Sequence, residues 1–145
     1  MLPDIVPTHF DAHGIPNDWG TKGTIFVSPI MNAVIFLSVT CLNFWFAFVD
    51  DPKRFINLPK NRKDALTKAQ LEKLRVFTNR CVFLLKIVVQ GLFTYLTWHT
   101  VEIAMGRPDK LGPFFWLFIV AGLVLTGHMV WKSFRLVKTP TQMSI

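Results

Sequence analysis

Three long apolar runs, joined by short charged connections, set the pattern of this chain. The first runs from about Pro29 to Val49 and contains no charged residue; Asp50, Asp51 and Pro52 stop it. The second, from about Arg80 to Ile103, carries Lys86 near its start. The third begins at Pro113, a residue suited to a first helical turn, and reaches about Lys132. A hydrocarbon core of ~30 Å needs about 20 helical residues, and each run is long enough. The pattern predicts an all-α integral membrane protein with three transmembrane helices and an extracytoplasmic N-terminal loop motif.

The connections divide the chain further. Residues 1–28 form the loop motif, 29–49 the first span and 50–79 a basic loop with an amphipathic helix. Residues 80–103 form the second span, 104–112 a short loop, 113–132 the third span and 133–145 a tail. Within the basic loop, T-K-A-Q from Thr67 to Gln70 has the hydroxyl and amide of a capping box. Leu71, Leu74 and Phe77 follow at helical spacing, so the second span extends backward as an amphipathic lead-in.

Charge sets the expected orientation. Nine of the 16 Lys and Arg fall between Lys53 and Arg80, and Lys132, Arg135 and Lys138 follow the third run. The N-terminal segment has only Lys22, and the second loop only Arg107 and Lys110. The positive-inside rule places the basic loop and C-terminus in the cytoplasm and the N-terminal motif outside. Trp45 and Trp131 then lie near inner ends and Trp98 and Trp116 near outer ends, as an aromatic belt requires. Lys86, under two turns into its span, is expected to snorkel toward the cytoplasmic interface, the bland alternative to a functional intramembrane lysine.

Composition narrows the function classes. The net charge of +7 invites a nucleic-acid reading, yet a nucleic-acid face has no need of three flanking apolar runs. Cys41 and Cys81, forty residues apart, make neither a metal pair nor a persuasive disulfide. The first twenty residues lack the basic start and apolar core of a cleavable signal peptide. No serine–histidine–acid arrangement, phosphate-cradling loop or cofactor motif is present, so neither catalysis nor a cofactor is expected.

The segment P-T-H-F-D-A-H-G-I-P-N-D-W-G, Pro7 to Gly20, concentrates backbone punctuation. Its prolines fix φ, Gly14 and Gly20 permit positive φ, and Asn17 and Asp18 favour local turns. A compact loop with defined turns is expected, rather than a long strand or helix. The whole stretch L-P-D-I-V-P-T-H-F-D-A-H-G-I-P-N-D-W-G-T-K resembles the signature of a bacterial membrane family of unknown function. That family shares its N-terminal domain with SdpI-type immunity proteins. Pro7, His9, Phe10, Gly14, Pro16, Trp19, Gly20 and Lys22 fill matching positions, with Asn17 where the family usually has Asp. The later Y-L-T-W-H-T-V-E-I-A-M-G-R-P-D-K-L-G resembles the end of the family's next long span. Relatives usually carry a further span before the motif. Here the motif begins almost at Met1, so the chain is either a short member or lacks an upstream helix in its recorded start.

The resemblance implies residence in the bacterial cytoplasmic membrane, and the eight matching residues become a candidate recognition loop. His9, Asp11 and His13 offer imidazole and carboxylate ligands within five residues. His99 and Glu102, one turn apart near the outer end of the second span, could complete a composite metal site. H-F-D-A-H is no zinc signature, however, and the alternative is that His9 holds the loop together by hydrogen bonds to a turn or to Glu102. Asn32 and Asn43, eleven apart on one face of the first span, favour helix–helix hydrogen bonds. Three short spans make a small bundle. Besides the lipid bilayer, its expected partners are other membrane subunits or a second copy of itself, in an accessory or SdpI-like immunity and signalling role. A metal-binding membrane enzyme or sensor is the competing expectation.

Overall fold

The computed structural model describes residues 2–55, 60–107 and 110–138. Residues 139–145 of the expected tail, and positions 56–59 and 108–109 in the two expected loops, lie outside the described residues. The chain opens with a two-stranded antiparallel sheet, β1 (Ile5–Phe10) and β2 (Pro16–Thr21). A 3-10 turn (Lys22–Phe26) leads into helix α1 (Val27–Phe48). After a second 3-10 turn (Pro52–Phe55) come the short α2 (Lys60–Asp64), the long α3 (Lys68–Ala104) and α4 (Phe114–Lys138).

Three helices are long and apolar enough to cross a membrane, as the hydropathy pattern predicts. α1 has 22 residues, about 33 Å at 1.5 Å per residue, which matches a bilayer core. α3 is one continuous helix of 37 residues, so the expected lead-in and second span are a single rod of about 55 Å. It starts where the capping box predicts. Thr67 accepts from the Gln70 N–H, and the Gln70 side chain accepts from the Thr67 N–H. At its other end Gly106, at φ 73°, lets the chain turn out of the helix while its N–H bonds the Ile103 carbonyl.

The three helices of the small bundle are arranged around α3. α3 lies in the middle and packs against both α1 and α4, which share no substantial contact of their own. Large apolar side chains face outward: Ile30, Val34, Leu37 and Phe44 on α1, and Leu117, Val120, Leu123 and Phe134 on α4 are all exposed. Burying apolar groups is the main drive to fold in water, so this inverted arrangement is stable only where hydrocarbon replaces water.

Polar groups collect instead between α1 and α3. Asn43 Nδ2 donates to Asn79 Oδ1 at 2.7 Å, and Lys86 Nζ to Thr40 Oγ1 at 3.2 Å. Farther along, Gln90 Nε2 donates to the Asn32 carbonyl at 3.3 Å, and the Thr97 and Ser28 hydroxyls meet at 3.0 Å. At the basic end Arg75 Nη1 reaches the Ala47 carbonyl at 2.7 Å, satisfying an acceptor in the last turn of α1. The seam runs from one end of α1 to the other. Against α4 the packing is tighter and apolar: a Cβ at Gly91 would lie 2.6 Å from Phe118 Cε1.

Lys86 departs from expectation. It is 8% exposed, with Nζ 5.1 Å from the Phe36 ring centroid and 4.9 Å from that of Phe83. It does not snorkel, because α1 covers its face of α3 and offers the Thr40 hydroxyl and the Phe36 ring, with Phe83 of α3 itself on the other side, all at shorter reach.

Candidate functional site

The N-terminal segment is a β-hairpin, not the turn-built loop that its prolines suggest. Each strand of a two-stranded sheet has a free edge, where a missing proline N–H costs no ladder bond. Ile5, Val6 and Thr8 on one strand, with Trp19 and Thr21 on the other, supply β-favouring side chains. The pairs Ile5–Thr21, Val6–Gly20 and Pro7–Trp19 run in simple register. Register then slips at Thr8 and is restored after His9–Asp18, so that Phe10 pairs with Pro16. The Lys22 N–H adds a bond to the Asp4 carbonyl at 2.8 Å, and the Lys22 ammonium meets the Asp4 carboxylate at 2.7 Å.

The turn is held by one carboxylate. Asp11 Oδ1 accepts from the N–H of His13 at 2.8 Å and of Ile15 at 2.9 Å. Its own N–H donates to the Ile15 carbonyl, and its carbonyl accepts from the Gly14 N–H. The Ile15 N–H does most to hold the Asp11 carboxyl below its ordinary pKa of 3.8, and the His13 N–H adds to it. Gly14 takes φ 77°, which a side chain would resist. Gly20 does not use positive φ; it makes room, since a Cβ there would lie 2.8 Å from Thr8 Cγ2.

The hairpin is docked. Val6 is 0% exposed, Pro7 and Gly14 are buried, and β1 packs on α3. The Leu111 N–H donates to the Gly14 carbonyl at 2.8 Å, and Leu111 itself is 6% exposed. The turn of the hairpin therefore rests on the connection between α3 and α4. Nothing in the sequence motif signals Leu111 as its partner.

Among the matching residues, Pro7, Gly14, Gly20 and Lys22 build the hairpin itself, and Phe10 and Pro16 pair at its turn end. His9 Nδ1 lies 2.6 Å from Asn17 Oδ1, so His9 serves the hairpin and does not reach for Glu102. Trp19 is 51% exposed, as are Ile5 and Ile15 to a similar degree.

The five expected metal ligands are not brought together. Among the described residues no group of three or more His, Cys, Asp or Glu side chains is placed to hold a metal ion. Asp11 is engaged by the turn, and Glu102 Oε1 is bound by Arg107 Nη1 at 2.9 Å. His99 lies against Tyr95, ring centroids 4.2 Å apart with the planes tilted by 42°. His128, at the opposite end of the helices, sits against Phe77 and Trp131.

Comparison with known proteins agrees with this emphasis on the N-terminus. Residues 1–33 match the family model of a domain of unknown function, DUF1648. The match covers the hairpin, the 3-10 turn and the first turns of α1. An uncharacterized protein of Archaeoglobus fulgidus is 30% identical over 99 residues, covering 64% of this chain and 52% of the relative. The chain thus spans about half the length of that relative. No solved structure matches the chain.

Proposed function

We propose that this is a small integral membrane protein that acts by binding other proteins, with the hairpin as its recognition element. The observation that carries this reading is the division of labour within the hairpin. The His9 imidazole, the Asp4 and Asp11 carboxylates and the Lys22 ammonium are spent on its own turn and ladder, while Ile5, Ile15 and Trp19 stand exposed. Groups so engaged make a rigid platform, and rigid aromatic and aliphatic side chains on such a platform suit recognition. Either an accessory subunit of a membrane complex or an SdpI-like immunity and signalling component fits this role. The basic ends of the helices favour a cytoplasmic location for the C-terminal side, with the hairpin outside.

Purification from native membranes in mild detergent, followed by mass spectrometry, tests the reading. A partner should accompany the wild-type chain and be lost with Trp19→Ala, while the hairpin amides of that variant stay protected. A chain that purifies alone at native expression level would overturn the proposal. A reporter fused after Lys63 tests the orientation separately, and it should work only in the cytoplasm.

A further inference from the structure

We propose that the basic end of the α1–α3 seam binds the headgroup of one anionic phospholipid. A groove of about 350 Å³ opens there on the side of the helices, lined by Asn43 of α1 and by Asn79, Arg80, Phe83 and Leu84 of α3. Its volume falls within the roughly 300–1,000 Å³ of ordinary ligand sites.

Charge identifies the occupant. Arg80 is exposed on the groove, and among the described residues no carboxylate pairs with it. Lys86 stands behind the wall, its Nζ 4.9 Å from the Phe83 ring centroid, with Thr40 Oγ1 as its hydrogen-bond partner and no acid. Arg80 is thus a cation on the groove with no counter-charge among the described residues, Lys86 adds a second positive charge farther into the seam, and the low dielectric there strengthens the pull on an anion. Guanidinium is also the group best shaped to bind phosphate oxygens in pairs.

Depth and polarity choose a lipid over a free anion. Asn43 lies five residues before the end of α1, about 7 Å along its axis and so just inside the hydrocarbon edge, a depth that the long side chain of Arg80 can span back to the headgroups. From Arg80 toward Leu84 the wall turns apolar as α3 enters the span, and Phe83 and Leu84 are both about half exposed. A phosphate at Arg80 would therefore leave acyl chains lying along Phe83 and Leu84. This inference needs only that the helices cross a bilayer, and it stands apart from the proposed protein partner.

Native mass spectrometry of the detergent-purified chain, titrated with phosphatidylglycerol or phosphatidylcholine, tests it. One phosphatidylglycerol per chain should bind in preference to phosphatidylcholine. Arg80→Gln should weaken that binding about tenfold, whereas Lys68→Gln, at an exposed site outside the groove, should not. Leu84→Trp, which fills the groove and keeps its charge, should also remove the preference. Equal binding of the two lipids, equal effects of Arg80→Gln and Lys68→Gln, or an unchanged preference in Leu84→Trp would each overturn the proposal. So would full competition by inorganic phosphate at matched concentration, which would mark a small-anion site.

Discussion

The Leu111 N–H donates to the Gly14 carbonyl at 2.8 Å, and this bond ties the N-terminal hairpin to the connection between α3 and α4. Two parts of the chain almost a hundred residues apart meet there. A Cβ on Gly14 would lie 3.0 Å from Leu111 Cβ, so the contact also depends on glycine. Docking links the hairpin to the membrane helices at their ends, where the polar seam and the apolar α3–α4 packing both terminate.

Gly14→Ala should loosen the hairpin without melting the helices. The positive φ and the close Leu111 contact each oppose a side chain, and together they should destabilise the docked turn by about 1–3 kcal/mol. Hydrogen exchange is the measurement: the Leu111 and Lys22 amides should lose protection while amides in the middle of α3 keep theirs.

Acid should loosen the same turn through Asp11. Its folded pKa is depressed below 3.8, so its stabilising contribution is fully present above the ordinary value and is lost as pH falls through the folded one. Amide resonances of His13 and Ile15 should therefore move together below about pH 3.8. Asp11→Asn keeps an acceptor in place and should abolish that shared titration. Independent movement of the two amides would contradict a common carboxylate partner.

Removing the cap of α3 should act locally. Thr67→Ala leaves the Gln70 N–H without its acceptor and should weaken the first turn by about 1 kcal/mol. Exchange at residues 68–71 should accelerate severalfold, and the spans should be unaffected.

The seam offers a contrast between two buried polar groups. Asn43→Leu removes a paired amide and should weaken the folded state by about 0.5–2 kcal/mol. Lys86→Met removes a buried cation whose partners are a hydroxyl and two rings, and it should leave stability unchanged or raise it by about 1–3 kcal/mol. Reversible unfolding in mixed micelles would show both. Strong destabilisation by Lys86→Met would mean that the cation has an anionic partner in the folded protein.

The candidate site was legible only in part. The prolines, glycines and Trp19 marked residues 7–20 as a structured segment, and His9 as an internal tie, because turn chemistry is local and written in adjacent residues. The same prolines hid the strands, since their confinement to sheet edges is no bar when both strands are edges. The suspected metal ligands are not gathered among the described residues, for a reason that spacing cannot reveal: Asp11 accepts from the amides of His13 and Ile15, and Glu102 finds Arg107.

Hydrophobic run length alone determined the three helices, because hydrocarbon selects about 20 apolar residues that satisfy their own backbone hydrogen bonds. The capping box likewise set the start of α3, whose hydrogen bonds all lie within four residues. Only the tertiary structure decided which face of α3 meets α1. That choice buries Lys86 against Thr40, pairs Asn43 with Asn79, and leaves α1 and α4 apart on either side of α3. It also decided that Gly14 rests on Leu111. Each of these contacts joins residues far apart in sequence, and every apolar face of such helices is equally suited to lipid until packing and polar pairing choose among them.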